Sequence, residues 1–226
     1  MITTQDQEDL LRLVSQYLKR DIACVAIGGT AMMFYGYKNA TKDIDLVFDS
    51  IEDRSVFIDA IRELGYREMS LKGVYDERRR ANPDAPLMFS RGDERFDLFV
   101  ASVFGFSIPS DASFTQRHDF PERLTVKVLP KEQVMVLKAV TNREKDYEDI
   151  ATIVKTEKGI DWSAIIAIVK EHISENEWLL LDIEETLQKL KSVTFIPEER
   201  FKELYEAQES VLKRREGPSP RPIGKR

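Results

Sequence analysis

Apolar residues recur at helical spacing from Asp6 to Arg20, where Leu10, Val14, Tyr17 and Leu18 share one face. Asp6 is placed to cap this helix, and Lys19-Arg20 suit its C-terminal end. The pattern then becomes a continuous apolar run, Ile22 to Ile27, as in a buried strand. A short helix is expected from Thr30 to Tyr35, broken by Gly36 to Asn39. Ile44 to Phe48 reads as a second buried strand. Ser50 can cap a helix reaching about Leu64, with Phe57, Ile58, Ile61 and Leu64 turned inward and Gly65 as its stop. Tyr66 to Ser70 reads as a strand, and the charged, then proline-bearing stretch 76–86 as a loop. Leu87 to Ser90 and Arg95 to Ser102 flank Arg91-Gly92-Asp93-Glu94 as the arms of an antiparallel hairpin. Ser107 to Pro121 shows no periodicity and is expected to be irregular, whereas Leu124 to Leu129 alternates apolar and polar residues and predicts a strand.

Pro130 marks a change of class. Beyond it the spacing predicts helices only: Lys131 to Val140, Glu144 to Lys155, Trp162 to Ile173, Asn176 to Lys191 and Pro197 to Arg215. Asp161 is a candidate cap, Pro197 a first-turn residue, and Trp162 and Trp178 are expected in the core. The expected fold is therefore α/β (α+β): a mixed sheet with flanking helices over residues 1–130, then an all-helical domain over 131–216. A basic, proline-bearing tail, 217–226, is expected to be disordered.

Composition narrows the picture further. A hydrophobic content of 42% with 33% charged residues fits a folded chain. No apolar run reaches the roughly 20 residues of a bilayer span, and the polar start of the chain does not read as a secretory signal. The single cysteine, Cys24, excludes an internal disulfide and fits a reducing compartment, so a cytoplasmic location is expected. His118 and His172 stand in no metal-ligand spacing, which excludes Cys/His zinc sites. The net charge of -6 argues against a surface that coats nucleic acid.

The candidate chemistry lies in Val25-Ala26-Ile27-Gly28-Gly29-Thr30 and, with thirteen residues between Gly29 and Asp43, in Asp43-Ile44-Asp45-Leu46-Val47. In a strand, residues two apart point to one face, so Asp43 and Asp45 project together while Ile44 and Leu46 enter the core. Adjacent carboxylates repel unless something positive sits between them, and a divalent cation answers that need. The glycines allow close backbone approach to a ligand, and the following helix offers N–H groups to phosphate. A bare Asp-x-Asp in a sheet is more often a solvated edge. Here it follows a double glycine, between apolar strands, with a third carboxylate in Arg95-Phe96-Asp97-Leu98-Phe99-Val100.

This pairing resembles the signature of the nucleotidyltransferase superfamily, the fold of the DNA polymerase β palm: an apolar residue, Gly, Gly or Ser, a helix-sized gap, then Asp-apolar-Asp/Glu-apolar. Thr30 stands where many members carry Ser. The resemblance covers about residues 20 to 155. It implies a two-metal transfer of a nucleoside monophosphate from a nucleoside triphosphate to an acceptor hydroxyl, with Mg2+ as cofactor. It implies that Asp43, Asp45 and Asp97 hold the metals and that Gly28, Gly29 and Thr30 bind the triphosphate. Lys42 and Arg117 could also reach phosphate.

Lys138 and Asp146, in Lys138-Ala139-Val140-Thr141-Asn142-Arg143-Glu144-Lys145-Asp146, resemble a segment of toxin-type and uncharacterised prokaryotic members. There the lysine contacts phosphate and the aspartate completes the site. A salt bridge within the helical half explains the same residues equally well. Asp149, on the same face as Asp146, reads as structural. The resemblance to toxin-type members points to ATP or another triphosphate as donor, tRNA or a protein as acceptor, and an antitoxin as a partner. A small-molecule antibiotic acceptor, and a non-catalytic member of a toxin–antitoxin pair, are the alternatives. Arg78-Arg79-Arg80 and the basic C-terminal end are candidate contacts for nucleic acid, though such runs are more often simply solvated.

Overall fold

A computed structural model describes residues 1–69, 86–108, 114, 116–173 and 178–216, with side chains as far as 213. The chain forms two compact units, Met1–Lys138 and Ala139–Arg226.

The first unit is built on a seven-stranded mixed sheet. Its strands are β2 (Ile22–Ala26), β4 (Ile44–Phe48), β5 (Arg67–Glu68), β6 (Leu87–Arg91), β7 (Glu94–Val100), β10 (Gln116–Phe120) and β11 (Leu124–Val128). Their order is β10-β11-β2-β4-β7-β6-β5. The central pair, β4 and β7, is parallel, and so is β11 with β2; the other pairs are antiparallel. Two two-stranded pairs lie outside it: β1 (Ile2–Thr3) with β3 (Ala40–Thr41), and β8 (Ser102–Val103) with β9 (Phe106–Ser107).

One sheet face carries the core. Ile44, Leu46 and Phe48 of β4 and Phe96 and Leu98 of β7 pack there with Leu11 and Val14 of α1 (Thr4–Tyr17) and with Phe57 and Ile61 of α3 (Ile51–Glu63). Phe57 meets Phe96 edge-on at 5.4 Å, and Tyr66 meets Phe96 at 5.1 Å. The opposite face of β4 and β7 receives the alternate residues, Asp45 on the one strand and Arg95 and Asp97 on the other.

The local signals held in several places. Ser50 caps α3, its side chain accepting from the Asp53 amide at 3.0 Å. The β6–β7 hairpin turns at Gly92, whose φ of +58° suits glycine. Four expectations need correction. The cap of α1 is Thr3, and Asp6 is its partner inside the first turn. The Thr3 hydroxyl accepts from the Asp6 amide at 3.2 Å, and the Asp6 carboxylate accepts from the Thr3 amide at 2.9 Å. The second helix, α2, spans Gly28–Phe34, so both glycines lie in its first turn. The stretch expected to be irregular contains β10, an edge strand whose first four residues are polar and give no apolar alternation. Trp178 is 70% exposed, because the apolar stripe of its helix begins at the next residue, Leu179.

The second unit is helical. It holds the end of α4 (Lys131–Thr141), then α5 (Glu144–Thr156), α6 (Trp162–His172), α7 (Leu179–Leu190) and α8 (Glu198–Glu216). Asp161 caps α6 by accepting from the Ala164 amide at 2.9 Å. Ile165, Ile166 and Val169 of α6, Ile183 and Leu187 of α7, and Phe201 and Leu204 of α8 are buried.

Candidate active site

The site is set by strand register. Asp45, the second residue of β4, is the Cα partner of Asp97 on β7. Asp43 lies two residues before Asp45, just ahead of the strand. One carboxylate oxygen from each of Asp43, Asp45 and Asp97 lies within 4.8 Å of the others. Asp43 and Asp45 are half-buried, and Asp97 is 8% exposed. Burial pushes the Asp97 carboxyl above its ordinary range, while its pairing with Arg95 opposes that shift.

Arg95 is the residue that sequence reading passed over. It precedes Asp97 by two on β7, so both project from one face, and this spacing was the available signal. Its Nε lies 2.9 Å from Oδ1 of Asp97, and its Nη2 lies 3.1 Å from Oδ2. The same Nη2 also donates to Oδ2 of Asp43. One guanidinium thus ties a carboxylate of β7 to one just ahead of β4.

The double glycine packs against the same cluster. Gly28 has φ of +54°, and a Cβ there would lie 2.8 Å from Oδ2 of Asp45. A Cβ on Gly29 would lie 2.5 Å from Oγ1 of Thr41. Thr30 is wholly buried, and its hydroxyl accepts from the Asp45 amide at 2.8 Å. The segment expected to bind triphosphate therefore also seats the backbone and carboxylate of Asp45.

The remaining predicted residues are placed as follows. Lys42 is exposed beside Asp43. Lys138, in α4, is 8% exposed. Asp146, 3% exposed in the first turn of α5, accepts from the Thr141 hydroxyl and, at 2.5 Å, from Nε of Arg143. Arg117 pairs with Asp119 on the exposed edge strand, with Nε 3.0 Å from Oδ1. His118 stacks on Phe34 at 4.4 Å. Cys24 is buried, and burial pushes its thiol well above the ordinary range, which favours the neutral thiol. Arg78, Arg79, Arg80 and the tail 217–226 lie outside the described residues, as do the side chains of Arg214 and Arg215.

Residues 6–207 match a family described as "Nucleotidyl transferase of unknown function (DUF2204)". The chain belongs to this family. Its reaction class is therefore nucleotidyl transfer, and its α/β fold of mixed sheet, flanking helices and helical C-terminal part is that of the nucleotidyltransferase superfamily. A solution structure of the antibiotic-resistance factor ANT(2'')-Ia is similar to this nucleotidyltransferase over 96% of this chain and 95% of that one, at 16% identity and a TM-score of 0.42. No curated protein matches the chain.

The donor chemistry of the nucleotidyltransferase fits a metal ion. All three groups of the cluster are carboxylates, hard oxygen ligands of the kind that suits Mg2+, Mn2+ or Ca2+ rather than a thiolate- or imidazole-binding metal. No helix among its described residues is long and apolar enough to cross a membrane.

Proposed function

We propose that this nucleotidyltransferase is Mg2+-dependent, that Asp43, Asp45 and Asp97 hold the metal, and that it transfers a nucleoside monophosphate from a nucleoside triphosphate to an acceptor hydroxyl. The supporting observation is the convergence within 4.8 Å of Asp45 and Asp97, from two adjacent parallel strands, with Asp43, just ahead of the first of them, in a member of this family. Bound there, Mg2+ would supply positive charge to the attacking and leaving oxygens of the displacement.

The chain's own groups do the rest. Thr30 and Gly28 hold Asp45 in position, and Arg95 holds Asp97 and Asp43. Gly28 and Gly29 leave the backbone without side chains beside the cluster, where the triphosphate is placed. Lys42 and Lys138 are assigned to its charge. The acceptor oxygen forms a bond to the α-phosphorus, the bond to the β-phosphate oxygen breaks, and pyrophosphate leaves. The hydroxyl proton departs to solvent or to a carboxylate. Asp146 ties the turn between α4 and α5, and a role in deprotonating the acceptor is the second reading of that residue. The resemblance to toxin-type members favours a tRNA or protein acceptor over a small-molecule antibiotic.

The test is a thermal shift with each of the four nucleoside triphosphates, with and without Mg2+, on the wild type and on Asp43→Asn/Asp45→Asn. A ligand at a hundred times its dissociation constant adds about 2.7 kcal/mol to stability. A Mg2+-dependent shift lost in the variant is expected, and it names the base for transfer assays on tRNA, proteins and antibiotics. A flat response to all four nucleotides would point to the non-catalytic, partner-binding alternative.

A further inference from the structure

We propose that Arg95 is a built-in competitor for the divalent cation: its guanidinium holds the position between Asp43 and Asp97 and releases Asp43 when the cation binds. This rests on the reading of the three aspartates as the metal site, and it adds a residue that sets how readily the site loads.

The contacts are asymmetric. Arg95 donates from Nη2 to Oδ2 of Asp97 at 3.1 Å, and its Nε stands 2.9 Å from Oδ1 as an ion-pair contact without hydrogen-bond alignment. It reaches Asp43 with Nη2 alone. Arg95 and Asp97 are held two residues apart on one face of β7, whereas Asp43 lies ahead of β4, so the contact to Asp43 is the one that gives way. Nη2 stands against oxygens of both Asp43 and Asp97, two of the three groups that converge within 4.8 Å. A cation shared by those oxygens needs the same place. Two positive groups drawn that close, away from bulk water, repel strongly, so they exclude one another rather than share.

The fold allows the exchange. The backbone of Arg95 is fixed in β7 opposite Ser90 of β6, so the change is a rotation of the side chain. That side chain is 32% exposed, against 11% for Asp97, so its head group has a way toward solvent while Asp97 keeps its place. A planar guanidinium released beside the cluster is also suited to a phosphate oxygen pair. Arg95 thus neutralises the carboxylates before loading and is freed for the anionic substrate by loading. A lysine at this position would keep the charge without the planar guanidinium.

The test is direct Mn2+ binding, followed by electron paramagnetic resonance or calorimetry without nucleotide, on the wild type, Arg95→Met, Arg95→Lys and Asp43→Asn/Asp45→Asn. Arg95→Met is expected to bind Mn2+ about tenfold tighter than the wild type, within the usual range of coupling between two ligands. Arg95→Lys should fall between them. Equal or weaker binding by a folded Arg95→Met overturns the proposal and makes Arg95 a support of the site. Should Arg95→Met fail to fold, the wild type decides through the Nε–Hε nuclear magnetic resonance signal of Arg95, assigned by its loss in Arg95→Lys. Mg2+ should shift that signal and speed its exchange, and an unmoved signal at saturation overturns the proposal. No Mn2+ binding by any protein removes the metal-site reading itself, and this proposal with it.

Discussion

Asp97 and Asp146 are both buried carboxylates, 8% and 3% exposed, and they are held in contrasting ways. The partners of Asp146 described above are local: Thr141 five residues before it and Arg143 three before it, at the start of a helix whose dipole favours a negative charge. Asp97 instead sits among other carboxylates. Its guanidinium partner is shared with Asp43, which is 52 residues away from Arg95 in sequence, and burial raises its pKa. The contrast separates two uses of a buried charge. A carboxylate tied by neighbours to a turn explains itself as architecture. Like charges brought together from separate strands cost stability, and folding alone has no use for them.

The largest expected effect breaks the pairing on the side of Asp97. Asp43→Asn/Asp45→Asn should reduce nucleotidyl transfer by more than the roughly 10–100-fold typical of losing an outer partner of a metal site, while the thermal melt shows a folded protein. On the other side, Asp146→Ala should destabilise the chain by about 1.5–3 kcal/mol in urea unfolding, the range for hydrogen bonds to a charged group. Asp146→Asn, which keeps an acceptor for Thr141, should retain transfer activity. A folded Asp146→Asn with transfer as low as the double variant would dissolve the contrast and put Asp146 in the chemistry.

Gly28→Ala sharpens the comparison from the scaffold side. The backbone there has positive φ, and the new methyl would press on the Asp45 carboxylate. Transfer should fall more steeply than stability, which should drop by about 1 kcal/mol or more. Equal activity in a folded Gly28→Ala would show that Asp45 tolerates displacement. The smallest effect concerns Asp6, whose carboxyl is held below its ordinary value of 3.8 chiefly by the Thr3 side chain. A depressed folded pKa gives stability that is present above 3.8 and lost as pH falls through the lower folded value. The stability gap between wild type and Asp6→Ala should therefore be full at neutral pH and close in acid, and a gap unchanged by acid would contradict the capping geometry.

What was readable in the chain follows the same division between near and far. Asp43 and Asp45 were legible because a strand's period of two is a local rule, and Asp97 because it lies in an apolar run of its own. Ser50 and Asp161 were legible as caps for the same reason. Arg95 stands two residues from Asp97, yet its bond to Asp43 depends on β4 and β7 lying side by side, which no local rule states. Thr30 was read as a ligand of phosphate, while its bond to the Asp45 amide spans a separation of 15 residues. β10 was missed because four of its five residues, Gln116 to Asp119, are polar and leave no apolar alternation. Trp178 was expected in the core because it falls in a predicted helix, whereas that helix starts at Leu179 and leaves Trp178 exposed at its cap.

The parallel register of Asp45 with Asp97 has a consequence for how the molecule is made. Between them the chain must travel 52 residues, from position 45 to position 97, and then lay β7 beside β4. Closing such a loop costs little more than closing a shorter one, but it cannot begin until the later strand exists. A nascent chain that has delivered Gly28 to Val47 therefore carries the recognisable motif without a complete set of carboxylates. Competence therefore waits for β7, so a product truncated before Arg95 has neither its third aspartate nor its guanidinium and is expected to be inert.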